Sequence, residues 1–179
     1  MGKIITFTGV SGAGKSTIAK SVGFPFVPST TTREPRPSDL PGEYEYLEHG
    51  DFDHDKAWDA FLWVNEYDGN SYGTKSEMVD TALTNPGTYT MILVPRVLPL
   101  LLKYAGTDKV LPFYILSPPE EILRSRMEQR GNTPDSIERR LKETKNWDEQ
   151  AGKAAIPYFF ITNDGTIDEA VEQVKKYLK

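Results

Sequence analysis

The residues whose types and spacing best suit a chemical task lie between Gly9 and Thr17. They satisfy the pattern G-x-x-x-x-G-K-[ST], in which the glycines let backbone N–H groups curl around a phosphate without Cβ clashes. In such a loop the lysine, here Lys15, reaches the β- and γ-phosphates of a nucleoside triphosphate, and the hydroxyl of Ser16 holds Mg²⁺. A glycine turn with a chance lysine is the plainer alternative. The pattern predicts a triphosphate cradle built from Gly9, Ser11, Gly12, Ala13, Gly14, Lys15, Ser16 and Thr17.

A second group of charged residues follows in the hydroxyl-rich stretch from Ser29 to Arg36. Arg33 and Arg36 stand three residues apart with Pro35 between them. Arginine suits the binding of a second phosphate because its planar fork donates two parallel hydrogen bonds, which lysine cannot do. Taken alone, a solvated loop explains these charges equally well.

The elements that must position these residues alternate between strand and helix. β-Branched and aromatic runs predict strands at Ile4–Thr8, Thr88–Val94, Val110–Leu116 and Tyr158–Ile161. Capping signals predict helices over Ser16–Val22, after Ser117 as N-cap, from Thr133 and Pro134 towards Trp147, and after a capping box of Thr166 and Glu169. This alternation indicates an α/β protein with a parallel sheet covered on both sides.

Length and composition set the remaining bounds. The chain has 179 residues, which suits one domain, with 38% hydrophobic and 26% charged residues. Its net charge of −5 argues against general attraction to nucleic acid or an anionic membrane. It has no cysteine, and no apolar run approaches the ~20 residues needed to cross a bilayer. We expect a cytoplasmic protein, either a monomer or a homodimer.

Taken together, the motifs resemble those of the guanylate kinase family. Besides the glycine loop, the sequence carries, in the family's order, Ser29 to Arg36, Gly42-Glu43-Tyr44, Tyr72-Gly73-Thr74, Arg126 and Arg130 before Arg140-Leu141, Ile161-Thr162-Asn163-Asp164 and Asp168-Glu169-Ala170. The joint occurrence spans nearly the whole chain. On its own, the pair Arg126 and Arg130 is equally typical of a solvated helix face.

The resemblance implies a fold and a division of the chain. The expected fold is the three-layer α/β fold of P-loop kinases, with a mostly parallel sheet. A single domain over residues 1–179 would have its core at 1–32 and 83–179. A monophosphate-binding subdomain would be inserted at about 33–82, and a short lid would lie at about 126–140.

The resemblance also implies roles for matched residues. Ser29, Arg33, Arg36, Tyr44 and Tyr72 would grip the acceptor phosphate, Thr74 would touch the acceptor base, and Asn163 would lie beside the donor base. Tyr46 is an alternative to Tyr44, because the loop before it is one residue shorter than the family pattern. Lys15, Arg36, Arg126, Arg130 and Arg140 would stabilise the transferring group, together with Mg²⁺ held by Ser16.

The implied reaction moves the γ-phosphoryl group of ATP to GMP, dGMP or a related (deoxy)nucleoside monophosphate, giving ADP and the nucleoside diphosphate. The acceptor phosphate is already a competent nucleophile, so alignment and charge neutralisation must supply most of the rate. Lid closure would exclude water that otherwise hydrolyses the donor.

The sequence departs from the family pattern at two places near the acceptor base. The family's guanine-binding glutamate stands nine residues before the tyrosine of the Y-G-[ST] segment, and that position is Trp63 here. Glu66 is close by but out of step. Where the family carries a segment of the type L-D-x-D, this chain has Met91-Ile92-Leu93-Val94-Pro95, without a carboxylate. We therefore expect a changed base pocket in which Trp63 either fills the core or stacks on the base.

Two other functions fit parts of the sequence. The first is a guanylate kinase-like module that binds a protein without catalysis, although such modules generally lose the phosphate loop that is intact here. The second is a kinase acting on a modified nucleotide within DNA, against which the acidic net charge argues. A signalling GTPase is excluded by the lack of an N-K-x-D motif.

Overall fold

The computed structural model describes residues 1–67 and 69–178. Asp68 and Lys179, which fall within the predicted domain, lie outside the described residues. Within the described part of the chain there are eight strands, eight α-helices and one 3-10 turn. The strands are β1 (Lys3–Thr8), β2 (Ser29–Thr31), β3 (Tyr44–Tyr46), β4 (Phe61–Tyr67), β5 (Asn70–Lys75), β6 (Thr88–Ile92), β7 (Val110–Ile115) and β8 (Phe159–Ile161).

The helices fall between these strands, as the alternation in the sequence predicts. They are α1 (Lys15–Val22), α2 (His49–Ala57), α3 (Ser76–Thr84), α4 (Leu98–Ala105), α5 (Glu120–Gln129), α6 (Pro134–Thr144), α7 (Trp147–Lys153) and α8 (Ile167–Lys175), with a 3-10 turn at Pro95–Val97. No helix in the described ranges is long and apolar enough to cross a membrane.

Two four-stranded sheets organise these elements. The larger sheet has the order β6-β1-β7-β8 and is mostly parallel, and β7 and β8 pair in register from Phe113 opposite Phe159. Because β1 lies between β6 and β7, which come much later in the chain, the strands of this sheet are joined by crossover connections. The predicted α/β class with a mostly parallel sheet is confirmed. The smaller sheet has the order β3-β2-β5-β4.

The described residues form two compact units. One comprises residues 1–5, 24–91 and 96–111, and the other residues 6–23, 92–95 and 112–179. The first contains the smaller sheet, and its core includes Phe52 of α2, which stacks on Phe61 of β4 at a centroid distance of 4.6 Å. Lys75 joins three elements there, because its ammonium lies 2.9 Å from Glu45 and 2.8 Å from Asp55.

The second unit is built on apolar β segments and an amphipathic helix. Phe7 and Phe113 are fully buried and stack at 5.6 Å between ring centroids. Helix α8 buries Ala170, Val171 and Val174 along one side, as an amphipathic helix packed on a core does. The N-terminus of α8 is held by the predicted capping box of Thr166 and Glu169.

The helix start predicted at Ser117 is wrong. Helix α5 begins at Glu120, and its N-cap residue is Pro119, which offers no side-chain hydrogen bond. Ser117 is instead held against Asp148, because its backbone N–H and its hydroxyl both donate to that carboxylate, at 3.0 and 2.9 Å. Asp148 also accepts from the buried Tyr114 hydroxyl at 2.9 Å. The conformation at Ser117 is therefore set by Asp148, 31 residues away, rather than by the helix that follows.

Other boundaries shift by a few residues. Strand β6 ends at Ile92 rather than Val94, and β8 begins at Phe159 rather than Tyr158. The helix that starts at Pro134, with Thr133 as its cap, ends at Thr144, and a separate helix begins at Trp147. Such differences are usual where end residues lack partners in the ladder or the helix.

The capping box of α8 generates a stability prediction. Replacing Thr166 by alanine removes the side-chain acceptor for the Glu169 N–H, which lies at 3.3 Å. We expect a loss of about 1 kcal/mol in the free energy of unfolding, measured by urea denaturation. Thr107→Ala, at an exposed loop threonine, is the control. Equal losses in the two variants would show that the box does not stabilise the helix.

Candidate active site

The glycine loop predicted from the sequence joins β1 to α1 in the second unit. Strand β1 ends at Thr8 and α1 begins at Lys15, so a strand precedes the loop and a helix follows it. The loop turns sharply because Gly9, Gly12 and Gly14 have φ values of +136°, +86° and +100°, which other residues rarely adopt. The helix N-terminus therefore points its first N–H groups at the loop, as a phosphate site requires.

Lys15 lies across the mouth of this loop. Its ammonium donates to the carbonyl oxygens of Gly9 at 2.9 Å and Val10 at 2.8 Å. The charge is thereby held at the loop rather than extended into solvent, and Lys15 is only half-buried. Ser16 is half-buried and Thr17 exposed, both in the first turn of α1. The assignment of Ser16 to Mg²⁺ and the place of Thr17 in the triphosphate cradle remain predictions.

Two of the three predicted lid arginines contact the loop. Arg126 of α5 donates from Nη1 to the carbonyl oxygen of Gly12 at 3.1 Å, and Arg140 of α6 donates from Nη1 to the hydroxyl of Ser11 at 3.2 Å. Arg140 is also held by Ser136 through Nε at 3.2 Å. Arg130 differs, because its exposed side chain makes no hydrogen bond or ion pair within the described ranges.

Asn163, predicted to lie beside the donor base, is buried against the glycine loop. It follows β8, and its amide donates from Nδ2 to the carbonyl oxygen of Ala13 at 2.7 Å. The backbone carbonyl oxygen of Asn163 accepts from Nη2 of Arg126 at 3.5 Å. The contact explains why position 14 is glycine, since a Cβ there would lie 2.2 Å from the Asn163 amide nitrogen. Asn163 therefore stabilises the loop, whatever else it binds.

The predicted acceptor residues lie in the first unit, four of them on the smaller sheet and Arg33 and Arg36 in the loop after β2. In the sheet register Ser29 pairs with Tyr44, Thr31 with Tyr72, and Thr74 with Trp63. Side chains of paired residues share a face and alternate along each strand. The register therefore puts Ser29, Tyr44, Tyr72 and Thr74 on one face, here called the acceptor face, and adds Thr31, Tyr46, Trp63 and Asn65 to it.

Trp63 reaches the acceptor face because of a bulge in β4. The register shifts between Phe61, which pairs with Lys75, and Trp63, which pairs with Thr74. Phe61 consequently lies on the opposite face, where a Cβ on Gly73 would come within 2.6 Å of its ring. Glu66 also lies on that opposite face by alternation, and it is exposed. Trp63 therefore puts a tryptophan ring on the acceptor face, at the position where the family pattern has its guanine-binding glutamate.

One feature of the acceptor face suits the binding of a base. Thr74 is 1% exposed, and its hydroxyl has no hydrogen-bond partner within the described residues. A separate open depression of about 620 Å³ lies along the edge strand β4 and is lined from both faces of that strand, by Trp63, Asn65 and Glu66, together with Lys56 and Arg96. A buried hydroxyl without a partner is costly, so a ligand atom that bonded to Thr74 would relieve that cost.

Arg33 is the charged centre of the predicted phosphate clamp. Its side chain is 6% exposed and lies beside two aromatic rings, with its guanidinium carbon 5.0 Å from the Tyr44 ring centroid and 5.9 Å from that of Tyr46. Burial lowers the pKa of Arg33, but Asp39 and the nearby tyrosines outweigh burial and raise it above its ordinary value. The side chain of Arg36 is exposed.

The two tyrosines of β3 both remain candidates for the acceptor phosphate. Burial, followed by the charge of Glu43, raises the pKa of Tyr44 well above its ordinary value. Burial and then a hydrogen bond to Asp39 raise the pKa of Tyr46 to about 12. Both phenols are therefore neutral donors at physiological pH, as phosphate binding requires. Sequence reasoning assigned no role to Asp39, which lies among these residues.

The close contact at position 14 yields a prediction with a matched control. Gly14→Ala combines a φ of +100° with a clash against Asn163, so we expect nucleotide binding to fall at least tenfold and thermal stability to drop. Gly152→Ala, in helix α7, has open space around it and should be neutral or stabilising by up to about 1 kcal/mol. Calorimetric ATP titration and thermal unfolding of both variants test this. Unchanged ATP affinity in Gly14→Ala would contradict the described loop.

Comparison with known proteins places the chain in a family. The family model described as "Guanylate kinase" matches residues 1–179. The guanylate kinase of Symbiobacterium thermophilum is 30% identical over 182 residues, covering 97% of this chain and 83% of the relative, and that of Clostridium perfringens strain SM101 is 32% identical over 184 residues, covering 99% and 82%. The crystal structure of guanylate kinase from Anaplasma phagocytophilum superposes with a TM-score of 0.70 at 20% identity, covering 99% of this chain and 84% of that one.

The site and the comparisons agree. The glycine loop is held by two arginines and an asparagine, and the family model matches the full length of the chain. The chain belongs to the guanylate kinase family.

Proposed function

We propose that this protein is an ATP-dependent nucleoside monophosphate kinase. It transfers the γ-phosphoryl group of ATP to GMP, dGMP or a related (deoxy)nucleoside monophosphate, and it releases ADP and the nucleoside diphosphate. The observation that carries the proposal is the intact glycine loop, with Lys15 and two lid arginines bonded at it, in a member of this family. Curated relatives over nearly the same length are named guanylate kinase, which supports the choice of acceptor.

The donor side of the reaction uses the glycine loop. Backbone N–H groups of the loop bind the ATP phosphates, and Lys15 leaves the Gly9 and Val10 carbonyls to reach the β- and γ-phosphates. The hydroxyl of Ser16 would hold Mg²⁺, which neutralises phosphate charge. The described residues contain no cluster of three acidic or histidine ligands.

The acceptor side uses the acceptor face and the clamp around Arg33. Arg33 and Arg36 bind the acceptor phosphate with the hydroxyls of Ser29, Tyr44 and Tyr72, while Thr74 contacts the base. The phosphate oxygen attacks without a general base, since it is already ionised at neutral pH. Arg36, Arg126, Arg130 and Arg140 stabilise the negative charge of the transferring group, and Asn163 borders the donor base.

The proposal extends to the organisation of the chain. A single kinase domain has its core at 1–32 and 83–179, a monophosphate-binding subdomain at about 33–82, and a lid at about 126–140 that closes over the phosphates. The contacts of Arg126 and Arg140 with the glycine loop support the lid assignment. The enzyme works in the cytoplasm as a monomer or homodimer. The intact loop argues against a module that only binds proteins.

The donor half of the proposal predicts that Lys15 is essential. Lys15→Ala removes the charge nearest the transferred group, and we expect kcat for ATP-dependent phosphorylation of GMP to fall by at least ~10²-fold with the fold retained. Lys153→Ala, at an exposed lysine of α7, is the control and should keep full activity. Full activity in Lys15→Ala, measured by a coupled ADP assay, would remove the basis of the proposed chemistry.

The acceptor half predicts weak selection for guanine. The acceptor-face residues of β4 and β5 are Trp63, Asn65, Tyr72 and Thr74, and none of these carries a carboxylate to accept from the ring N–H and amino group of guanine. We expect kcat/KM for GMP and for IMP, which lacks the amino group, to agree within about tenfold. A site with a matched acceptor discriminates by ~10⁴. Steady-state assays across GMP, dGMP, IMP, AMP and the pyrimidine monophosphates measure this. A guanine preference of ~10⁴ would refute the changed pocket.

A further inference from the structure

One carboxylate in the acceptor region, that of Asp39, collects hydrogen bonds from three separate parts of the chain. Arg33 donates from Nη2 to both oxygens, at 3.0 and 2.9 Å. The backbone N–H of Arg36 donates to Oδ2 at 2.7 Å, and the phenol of Tyr46 donates to the same oxygen at 2.7 Å. The three donors belong to residues that the proposed function puts at or beside the acceptor phosphate.

Charge balance makes this contact necessary. Arg33 is 6% exposed and the side chain of Asp39 15% exposed, so both charges are largely removed from water. A buried guanidinium needs an anion beside it, because an unpaired charge removed from water is strongly destabilising. Burial raises the pKa of Asp39, but the hydrogen bonds from Tyr46, Arg36 and Arg33 outweigh burial and hold it below its ordinary value. Asp39 is therefore ionised across the physiological range.

The contact also fixes the orientation of the Arg33 guanidinium. Nη2 is engaged by Asp39, and Nη1 donates to the carbonyl oxygen of Glu34 at 2.6 Å. The plane is further limited by the Tyr44 ring, 5.0 Å away. An arginine side chain has four rotatable bonds, and without these partners it would lose its rotamer entropy only on binding phosphate. With them, the fork is already oriented.

Asp39 shapes the connecting loop as well. Its backbone N–H donates to the carbonyl oxygen of Arg36 at 3.0 Å, while its side chain accepts from the Arg36 N–H. The two bonds close a turn over residues 36–39, in a segment between β2 and β3 that has no regular structure. The backbone of Arg36 is thus fixed relative to the Arg33 guanidinium by a single side chain.

We propose that Asp39 is a positioning residue for the acceptor phosphate. It does not touch the phosphate; it holds the Arg33 guanidinium, the Arg36 backbone and the Tyr46 phenol in one arrangement, ready for a phosphate monoester dianion. The inference rests on the proposed function. The opposing possibility is that Asp39 occupies the place of the phosphate at Arg33 and must be displaced, in which case its removal would strengthen acceptor binding.

Steady-state kinetics distinguish these outcomes. In Asp39→Ala we expect KM for GMP to rise ten- to a hundredfold, because the clamp loses its arrangement, while KM for ATP stays within about twofold. Asp39→Glu should recover part of the loss. The matched control is Asp53→Ala, at an exposed aspartate of α2 whose side chain makes no hydrogen bond or ion pair within the described ranges. It should behave as the wild type.

Two further measurements keep the test decisive. If Asp39→Ala does not fold, Asp39→Asn, which keeps the shape and one oxygen acceptor, should still raise KM for GMP by about tenfold. An acceptor KM that is unchanged or lowered, or losses that affect ATP and GMP equally, would overturn the positioning role. Failure of the proposed function is separate, since the wild-type protein would then phosphorylate no monophosphate in the same assay.

Discussion

The glycine loop depends on one steric constraint, the close approach of other side chains to a loop that has no Cβ atoms at its turning points. Asn163 and Arg126 bond directly to the loop carbonyls of Ala13 and Gly12. Those contacts leave no room for a side chain at Gly14. The loop is therefore held from outside by groups brought together from the ends of α5 and β8, and its N–H groups are left to face a phosphate.

The acceptor region follows a different principle, in which buried charges are paired. Asp39 neutralises Arg33, and Lys75 of β5 is paired with Glu45 of β3 and Asp55 of helix α2. Pairs of this kind contribute little net stability compared with apolar groups, but breaking one leaves an uncompensated charge. They fix geometry more than they add stability. In a site proposed to bind a phosphate dianion, the fixed geometry of the arginine matters more than added stability.

The sequence was informative where a motif carries its own backbone requirement. The glycine loop, the N-cap of α6 and the capping box of α8 were predicted because each depends on residues a few positions apart. The helix start at Ser117 failed for the opposite reason, since Asp148, 31 residues away, binds that hydroxyl. Asp39 was missed similarly. Its role depends on Tyr46 and on the turn at Arg36, and no periodic pattern marks a residue whose partners meet only in the folded chain.

The bulge in β4 has a consequence for how this family can diversify. One extra residue between Phe61 and Trp63 decides which side chain of the strand faces Thr74. The residues proposed to grip the acceptor phosphate lie on β2, β3 and β5 and in the loop beyond β2, so a substitution in β4 replaces none of them. On that assignment the edge strand β4 contributes only to the base side of the site, and its side chains can change without altering the phosphate-binding residues.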